Sequence, residues 1–453
     1  MATLAALLKR RGLDVRGSDQ HVYPPMSDFL AAEGIDAFAG YDASHISGDI
    51  DLVIVGNAIS RGNPELEAVL ERKLRYCSLP EAVRDHFLWN ARSLVLAGTH
   101  GKTTTTSLTA WLLTHGNLDP SLLVGGIALN FGEGGSSYRV GAGRDFVIEG
   151  DEYDSAFFDK TAKFLKYLPD VAVIGNVEFD HADIYPDMDA VRLAFRRLVN
   201  LVPRNGLLLL GADSPEALAL QAHAVSPVET FGTAEGADWQ AQDIEYRDGK
   251  TSFTVRRRGE VFGTFESPLL GAHNVRNALA AMAVGAFVGL DATDVADGLR
   301  TFKGIKRRLE LVGTADGVVV LDDFAHHPTA VLETLSALRT GYPGRRIWAV
   351  FEPRSASSCR RVFQGAFAQA FGAATEVIVA AVFRSSLPES ERLSAEQLVD
   401  DLVKQGQHAR HIPDVDRIIS TIVSEHVPGD VVVLMSNGAF GGIHKKLVQA
   451  LSS

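Results

Sequence analysis

Gly98-Thr99-His100-Gly101-Lys102-Thr103-Thr104 carries the strongest chemical signal in the chain. Glycines at this spacing let backbone N–H groups close around phosphate oxygens, and a helix starting at Lys102 adds partial positive charge. Lys102 is placed to reach β- and γ-phosphates, and Thr103 offers a hydroxyl to Mg²⁺. The string departs from the standard eight-residue phosphate loop, which needs glycine at position 96, where Leu96 stands. The same letters would also suit an ordinary glycine turn with a surface lysine. On the phosphate-binding reading, with a lysine charge that contacts phosphate and packs no core, Lys102→Ala is expected to remove activity and leave the fold intact. A second cluster, Glu149-Gly150-Asp151-Glu152-Tyr153-Asp154, closes an apolar run. A carboxylate beside a phosphate loop can hold Mg²⁺, although alone the cluster reads as a solvated acidic turn. A third, Asn176-Val177-Glu178-Phe179-Asp180-His181-Ala182-Asp183, brings an imidazole and more carboxylates to another strand end.

The elements that must position these groups follow α/β grammar. Ser93-Leu94-Val95-Leu96-Ala97 is a buried-strand pattern feeding the glycine loop and a helix through about Leu113. Further strands are expected at 145–149, 171–176 and 206–210. An antiparallel excursion with a turn at Asp248-Gly249 is expected over 241–265, then a helix over 274–288. Past Arg308, strands at 318–322, 347–351, 376–380 and 431–435 alternate with helices. Near the start, a helix over 2–11 precedes strands at 13–16 and 51–55, ending in Gly17-Ser18-Asp19 and Gly56-Asn57-Ala58. Ligands in such sheets bind outside strand C-termini, so Ser18, Asp19, Asn57 and Arg61 are expected to face substrate. A nucleotide-binding unit usually opens with a strand and glycine loop ahead of its first helix. Here that strand and loop are expected to be missing, or the chain to begin downstream of them.

Composition narrows the partners. In 453 residues, 46% are hydrophobic and 22% charged, which is ordinary globular composition. The net charge of −12 disfavours nucleic acid. Two cysteines, Cys77 and Cys359, are too few for a disulfide framework or thiolate metal site, and a reducing cytoplasm is expected. No apolar run reaches the length of a membrane span, and MATLAALLKRRG reverses the order of a secretory signal.

Taken in order, the motifs resemble the Mur ligase family, the amide-forming enzymes of peptidoglycan assembly. They run GTHGKTT, Gly125-Gly126 with Asn130, the Glu149 cluster, Asn176 to His181, Gly271-Ala272-His273-Asn274-Val275-Arg276-Asn277, Lys306-Arg307-Arg308-Leu309-Glu310 and Asp322-Asp323. The similarity covers nearly the whole chain. It implies an α/β fold of three domains: a UDP-sugar-binding Rossmann-like domain over 1–91, a central P-loop ATPase domain over 92–306, and a C-terminal Rossmann-like domain over 307–453 that binds the incoming peptide.

Carried over motif by motif, the resemblance implies ATP and Mg²⁺ as cofactors. Gly98, Thr99, His100, Gly101, Lys102, Thr103 and Thr104 would hold phosphates, with Asn130 near the γ-phosphate. Thr103, Glu149 and His181 would hold the metal. His273, Asn274 and Asn277 would face adenine and ribose, and Arg308 and Asp323 would close over ATP. Lys102, Glu149, His181, Arg308 and Asp323 form the implied catalytic set. Phe324, His326, His327, Arg354, Ser436 and Asn437 would meet the incoming amine substrate. The strings around Asp151–Asp159, Asp322–Thr329, Glu352–Ser355 and Met435–His444 most resemble the recycling branch. That branch joins UDP-N-acetylmuramate to the tripeptide L-Ala-γ-D-Glu-meso-diaminopimelate through an acyl phosphate.

The alternatives are the L-alanine-adding branch and a P-loop nucleotide switch without ligase activity. Gly150 stands where the family usually has alanine. Leu193-Ala194-Phe195-Arg196 occupies the stretch where some members carry a carbamylated lysine, so none is expected here. The protein is expected to be a monomer or weak homodimer, with no nucleic-acid or membrane partner.

Overall fold

The computed structural model describes residues 1–22, 26–383 and 387–452. The chain forms two compact units. The first comprises Met1–Glu178, Asp189–Trp239 and Ala280–Gly298; the second comprises Phe179–Met188, Gln240–Leu279 and Leu299–Ser453.

The first unit opens with the helix Ala2–Arg10 and two parallel strand pairs. β1 (Arg16–Asp19) pairs with β2 (Asp36–Ala39), and β3 (Val53–Val55) with β4 (Tyr76–Ser78). The first strand therefore starts where the sequence reading ended it, because the apolar signal at 13–16 is short and largely exposed. Leu7 and Ile35 pack with Tyr138. The Tyr138 hydroxyl donates to Glu33 at 2.6 Å, and Glu33 also receives the Arg10 guanidinium at 2.8 Å. This join ties residues on the two sides of the expected boundary at 91.

The remaining strands of this unit are β5 (Arg92–Ala97), β6 (Ser121–Ala128), β7 (Ser136–Arg139), β8 (Asp145–Gly150), the hairpin β9 (Asp154–Ala156) and β10 (Asp159–Ala162), β11 (Val171–Ile174), β12 (Leu207–Gly211) and β13 (Val228–Gly232). The main sheet runs β13-β12-β11-β5-β8-β6-β7, parallel except for the β6–β7 pair. β5, β8, β11 and β12 are buried almost throughout, as expected of parallel strands covered on both faces.

In the second unit, β14 (Trp239–Arg247), β15 (Lys250–Arg257) and β16 (Glu260–Ser267) are successive neighbours, and Asp248-Gly249 makes the expected turn. The helix Ala272–Val288 follows, with residues 272–279 in this unit and 280–288 in the first. β17 (Glu310–Ala315), β18 (Val318–Asp323), β19 (Ile347–Phe351), β20 (Glu376–Val379), β21 (His408–His411) and β22 (Val431–Met435) form a sheet ordered β17-β18-β22-β19-β20-β21. All its pairs are parallel except β17–β18. Its helices are held at their starts: Ser394 and Asp414 accept backbone N–H groups at the N-termini of Ala395–Lys404 and Val415–Glu425. Both cysteines are free. Among the described residues, no helix is long and apolar enough to cross a membrane.

Candidate active site

The phosphate loop starts where β5 ends. Gly98 lies in the left-handed region, φ +131°, and a Cβ there would sit 3.1 Å from the Gly175 backbone nitrogen. Only glycine suits that approach to the end of β11. Asn176 then clamps the loop: its Oδ1 accepts the His100 N–H at 2.7 Å, and its Nδ2 donates to the His100 carbonyl at 3.2 Å. The Thr99 hydroxyl accepts the Glu178 N–H at 2.8 Å. Gly101, at φ +81°, turns the chain into the helix Lys102–His115. Strand, loop and helix thus stand as the sequence indicated, which separates this loop from an ordinary surface turn.

Lys102 corrects one expectation. Its side chain is 13% exposed and sits 2.8 Å from Glu152 Oε2, whose own side chain is 3% exposed. The ammonium also donates to the Gly98 and Thr99 carbonyls, at 2.8 and 3.1 Å. Burial alone would lower its pKa, but Glu152, Asp151 and Glu149 outweigh that and hold it above its usual value. The lysine is therefore a buried partner of a buried carboxylate, and its removal is not structurally neutral.

Glu149 is the penultimate residue of β8. Its Oε1 accepts the Thr103 hydroxyl at 3.0 Å, and its Oε2 accepts the Gly125 N–H at 2.7 Å. Burial raises its pKa, against the pull of Gly125 and Lys102. Lys102, Thr103 and Glu149 are thus brought together as expected, and Asn130 follows β6 on the same unit. Glu152 and Asn176 were missed as positioning groups. The acidic cluster and the Asn-x-x-x-Asp-His string contained them, but letters alone do not say which carboxylate meets the lysine.

The second unit holds the other candidates. His181 has φ +52°, a left-handed backbone uncommon for a side chain with a Cβ. Its N–H is shared between Asp180 Oδ1, at 2.6 Å, and the Ser357 hydroxyl, at 3.0 Å; Ser357 in turn donates to Asp180. Burial alone would raise the Asp180 pKa. His181, His327 and His326, with the Ser357 hydroxyl, hold it well below the usual carboxylate range. His327 uses both ring nitrogens: Nδ1 accepts the Thr329 N–H at the helix start, and Nε2 lies 3.2 Å from the Phe179 carbonyl. His326 packs edge-on to Phe324 with centroids 5.5 Å apart.

Asp323 is buried, accepting the Leu309 and Ala325 N–H groups at 2.8 Å and the Thr334 hydroxyl at 3.2 Å. Burial raises its pKa, against the Arg308 charge. Arg308 lies over the Phe324 ring, 5.3 Å from its centroid. Neighbouring Arg307 has a structural task, bonding Asp322 and the Ser436 and Gly438 carbonyls. At the start of Ala272–Val288, Asn277 donates to Asn274 at 3.1 Å, and Asn274 to the Leu270 carbonyl at 2.8 Å. Burial lowers the His273 pKa. Ser436 donates to Glu352, and its Oγ accepts the Gly438 N–H at 2.9 Å. Asn437 Oδ1 is buried without a hydrogen-bond partner. Arg354 follows β19, its Nη1 3.5 Å from Glu352 Oε1.

The four expected sugar-side residues lie on two strand pairs and a following loop. Ser18 and Asp19 end β1, whereas Asn57 follows β3 in a separate strand pair. Arg61 is exposed and engages Glu67 through two nitrogens, at 2.9 and 3.0 Å.

Comparison with known proteins places this arrangement in a class. The Mur ligase family, catalytic domain profile matches residues 1–88. The Mur ligase middle domain matches 96–285, and the Mur ligase, glutamate ligase domain matches 307–438. The chain belongs to the Mur ligase family, with its three-domain α/β architecture, and is an ATP-dependent ligase that forms a peptide bond. Membership sets aside the nucleotide-switch alternative.

Two similar relatives are each called UDP-N-acetylmuramate--L-alanyl-gamma-D-glutamyl-meso-2,6-diaminoheptandioate ligase. The protein from Escherichia coli is 41% identical and that from Haemophilus influenzae 40%, each over 100% of this chain and 96% of the relative. A UDP-N-acetylmuramate--L-alanine ligase from Salinibacter ruber is 35% identical, over 100% of this chain and 93% of its own. Among solved structures, a murein peptide ligase from Psychrobacter arcticus superposes with a TM-score of 0.74 at 34% identity, covering 100% of this chain and 96% of that one.

Proposed function

We propose that this chain joins UDP-N-acetylmuramate to the tripeptide L-Ala-γ-D-Glu-meso-diaminopimelate, in the cytoplasm, as a peptidoglycan-recycling step. The observation that carries the reading is the 40–41% identity, along the entire chain, to relatives named for that tripeptide. Relatives named for L-alanine stand at 31–36%. We further propose that it works as a monomer or weak homodimer, without nucleic-acid or membrane partners.

A carboxylate is a poor electrophile, and phosphorylation by ATP turns one of its oxygens into a leaving group. Lys102, already desolvated and pinned by Glu152 and two loop carbonyls, presents fixed positive charge to the phosphates with little reorganisation. The Thr103 hydroxyl and Glu149 carboxylate, 3.0 Å apart, are hard oxygen donors that suit Mg²⁺; His181 is assigned to the same metal from its motif. When bound, the ion neutralises charge on the transferring phosphoryl group. Arg308 and Asp323 are assigned to ATP, as are His273, Asn274 and Asn277. The amine then attacks the acyl phosphate, and phosphate leaves from a tetrahedral intermediate. Arg354, Ser436 and Asn437 are assigned to the peptide, whose carboxylates call for cationic and N–H donors.

The test of the route is isotopic. With ¹⁸O in the muramate carboxylate, the released phosphate should carry one ¹⁸O per turnover. Unlabelled phosphate, at full product yield, would exclude an acyl phosphate.

A further inference from the structure

Phe383 is a large aromatic side chain, 55% exposed. An aromatic ring left in water on a folded surface asks what holds it there. The Arg354 guanidinium carbon lies 3.6 Å from the Phe383 ring centroid. At that distance the guanidinium lies in van der Waals contact with the ring face.

Both partners are fixed by their backbones. The Phe383 N–H donates to the Pro353 carbonyl at 2.9 Å, tying the ring to the residue before Arg354. The Arg354 N–H donates to the Ser358 hydroxyl at 2.9 Å. Gly438 closes in on the arginine as well: a Cβ there would stand 2.0 Å from Arg354 Nε and 2.2 Å from Cδ. The side chain is therefore confined at its stem by a glycine and at its head by a ring. Glu352, 3.5 Å from Nη1, is too distant to saturate the donors. A guanidinium stacked on a ring keeps its N–H donors in its own plane, pointing outward along its edge. That is the geometry a carboxylate accepts in bidentate fashion.

We infer that Phe383 is a specificity-determining positioning residue, a platform that holds Arg354 flat so that its free edge receives a carboxylate of the incoming amine substrate. The inference rests on the proposed assignment of Arg354 to that substrate. Pre-ordering a long side chain lowers the entropic cost of binding. The effect belongs to substrate affinity and not to phosphoryl transfer.

Steady-state kinetics on the full chain test it, with the KM for tripeptide, ATP and UDP-sugar measured separately. Phe383→Leu keeps an apolar side chain and removes the ring; Phe383→Trp keeps a ring face. Loss of a cation–ring contact predicts a tripeptide KM raised roughly five- to thirty-fold in Phe383→Leu. The ATP and UDP-sugar KM values and kcat should stay within about twofold, and Phe383→Trp should recover most of the loss. In an Arg354→Met background, Phe383→Leu should add less than about twofold, since no guanidinium remains to hold.

Equal losses in the Leu and Trp variants would overturn the inference, as would an undiminished Phe383→Leu effect without the guanidinium. Melting temperatures identify any variant that fails to fold. The Phe383→Met variant then repeats the comparison. If the unmodified enzyme prefers free L-alanine, the functional reading fails on that measurement alone. The same variants run with alanine still decide whether Phe383 acts through Arg354.

Discussion

Removing the phosphate-loop lysine should do two separable things. Lys102→Ala deletes the partner of Glu152, a carboxylate only 3% exposed. Breaking a buried pair by removing one side costs about 3–5 kcal/mol, most of it from the charge left behind. At roughly 2–4 °C per kcal/mol for a domain of 150–250 residues, the melting temperature should fall on the order of 10 °C. Lys102→Ala/Glu152→Gln removes the orphaned charge and should regain most of that fall. Activity should not follow stability. Without the ammonium, stabilisation of the transferring phosphoryl group drops, and kcat should fall about 10²–10³-fold in both variants, by analogy with the loss of one preorganised donor. The assays are thermal unfolding without ligand, and phosphate release at saturating substrates below the lowered melting temperature. Near wild-type turnover by Lys102→Ala would refute the loop assignment. A double variant no more stable than the single would refute the buried-pair argument.

Other consequences are equally direct. Gly438→Ala should push Arg354 aside, because the new Cβ would stand 2.0 Å from Nε; we expect the tripeptide KM to rise about tenfold or more, with ATP KM nearly unchanged, in initial-rate assays. Ser357→Ala strips a hydroxyl from buried Asp180 and from the His181 N–H. It should cost about 1–3 kcal/mol by denaturant titration and speed hydrogen exchange at His181. His426 has its pKa raised, chiefly by the Asp316 hydrogen bond at 2.9 Å. Its stabilisation is fully present below the unfolded value, about 6.5, and is lost as pH rises through the higher folded value. Asp316 is 61% exposed, so the gain is at most about 1 kcal/mol. His426→Gln should therefore lower the melting temperature at pH 6 and not at pH 9.

Much of the fold was legible because its buried strands are continuous apolar runs bounded by glycine and polar clusters. β5, β8, β11, β12, β19 and β22 are of this kind. β1 and β21 carry few buried side chains, so periodicity had little to report there. The joining of residues 1–91 to the central sheet was invisible, since it depends on Tyr138 meeting Glu33 across 105 residues. In the site, residue types indicated the phosphate loop and its acidic companions. What they did not give was pairing: which carboxylate neutralises Lys102, that Asn176 clamps the loop, or that Ser357 holds His181 in a left-handed backbone. Each depends on side chains distant in sequence, so spacing alone carries no trace of them.

The most direct test of the central claim is a competition for one acceptor. The enzyme is given UDP-N-acetylmuramate, ATP and Mg²⁺ with equal concentrations of L-alanine and the tripeptide L-Ala-γ-D-Glu-meso-diaminopimelate, and products are resolved by mass. UDP-N-acetylmuramyl-tripeptide should be the dominant product, with one ADP and one phosphate per amide formed. UDP-N-acetylmuramyl-L-alanine as the main product, or ATP consumption without amide, would contradict it.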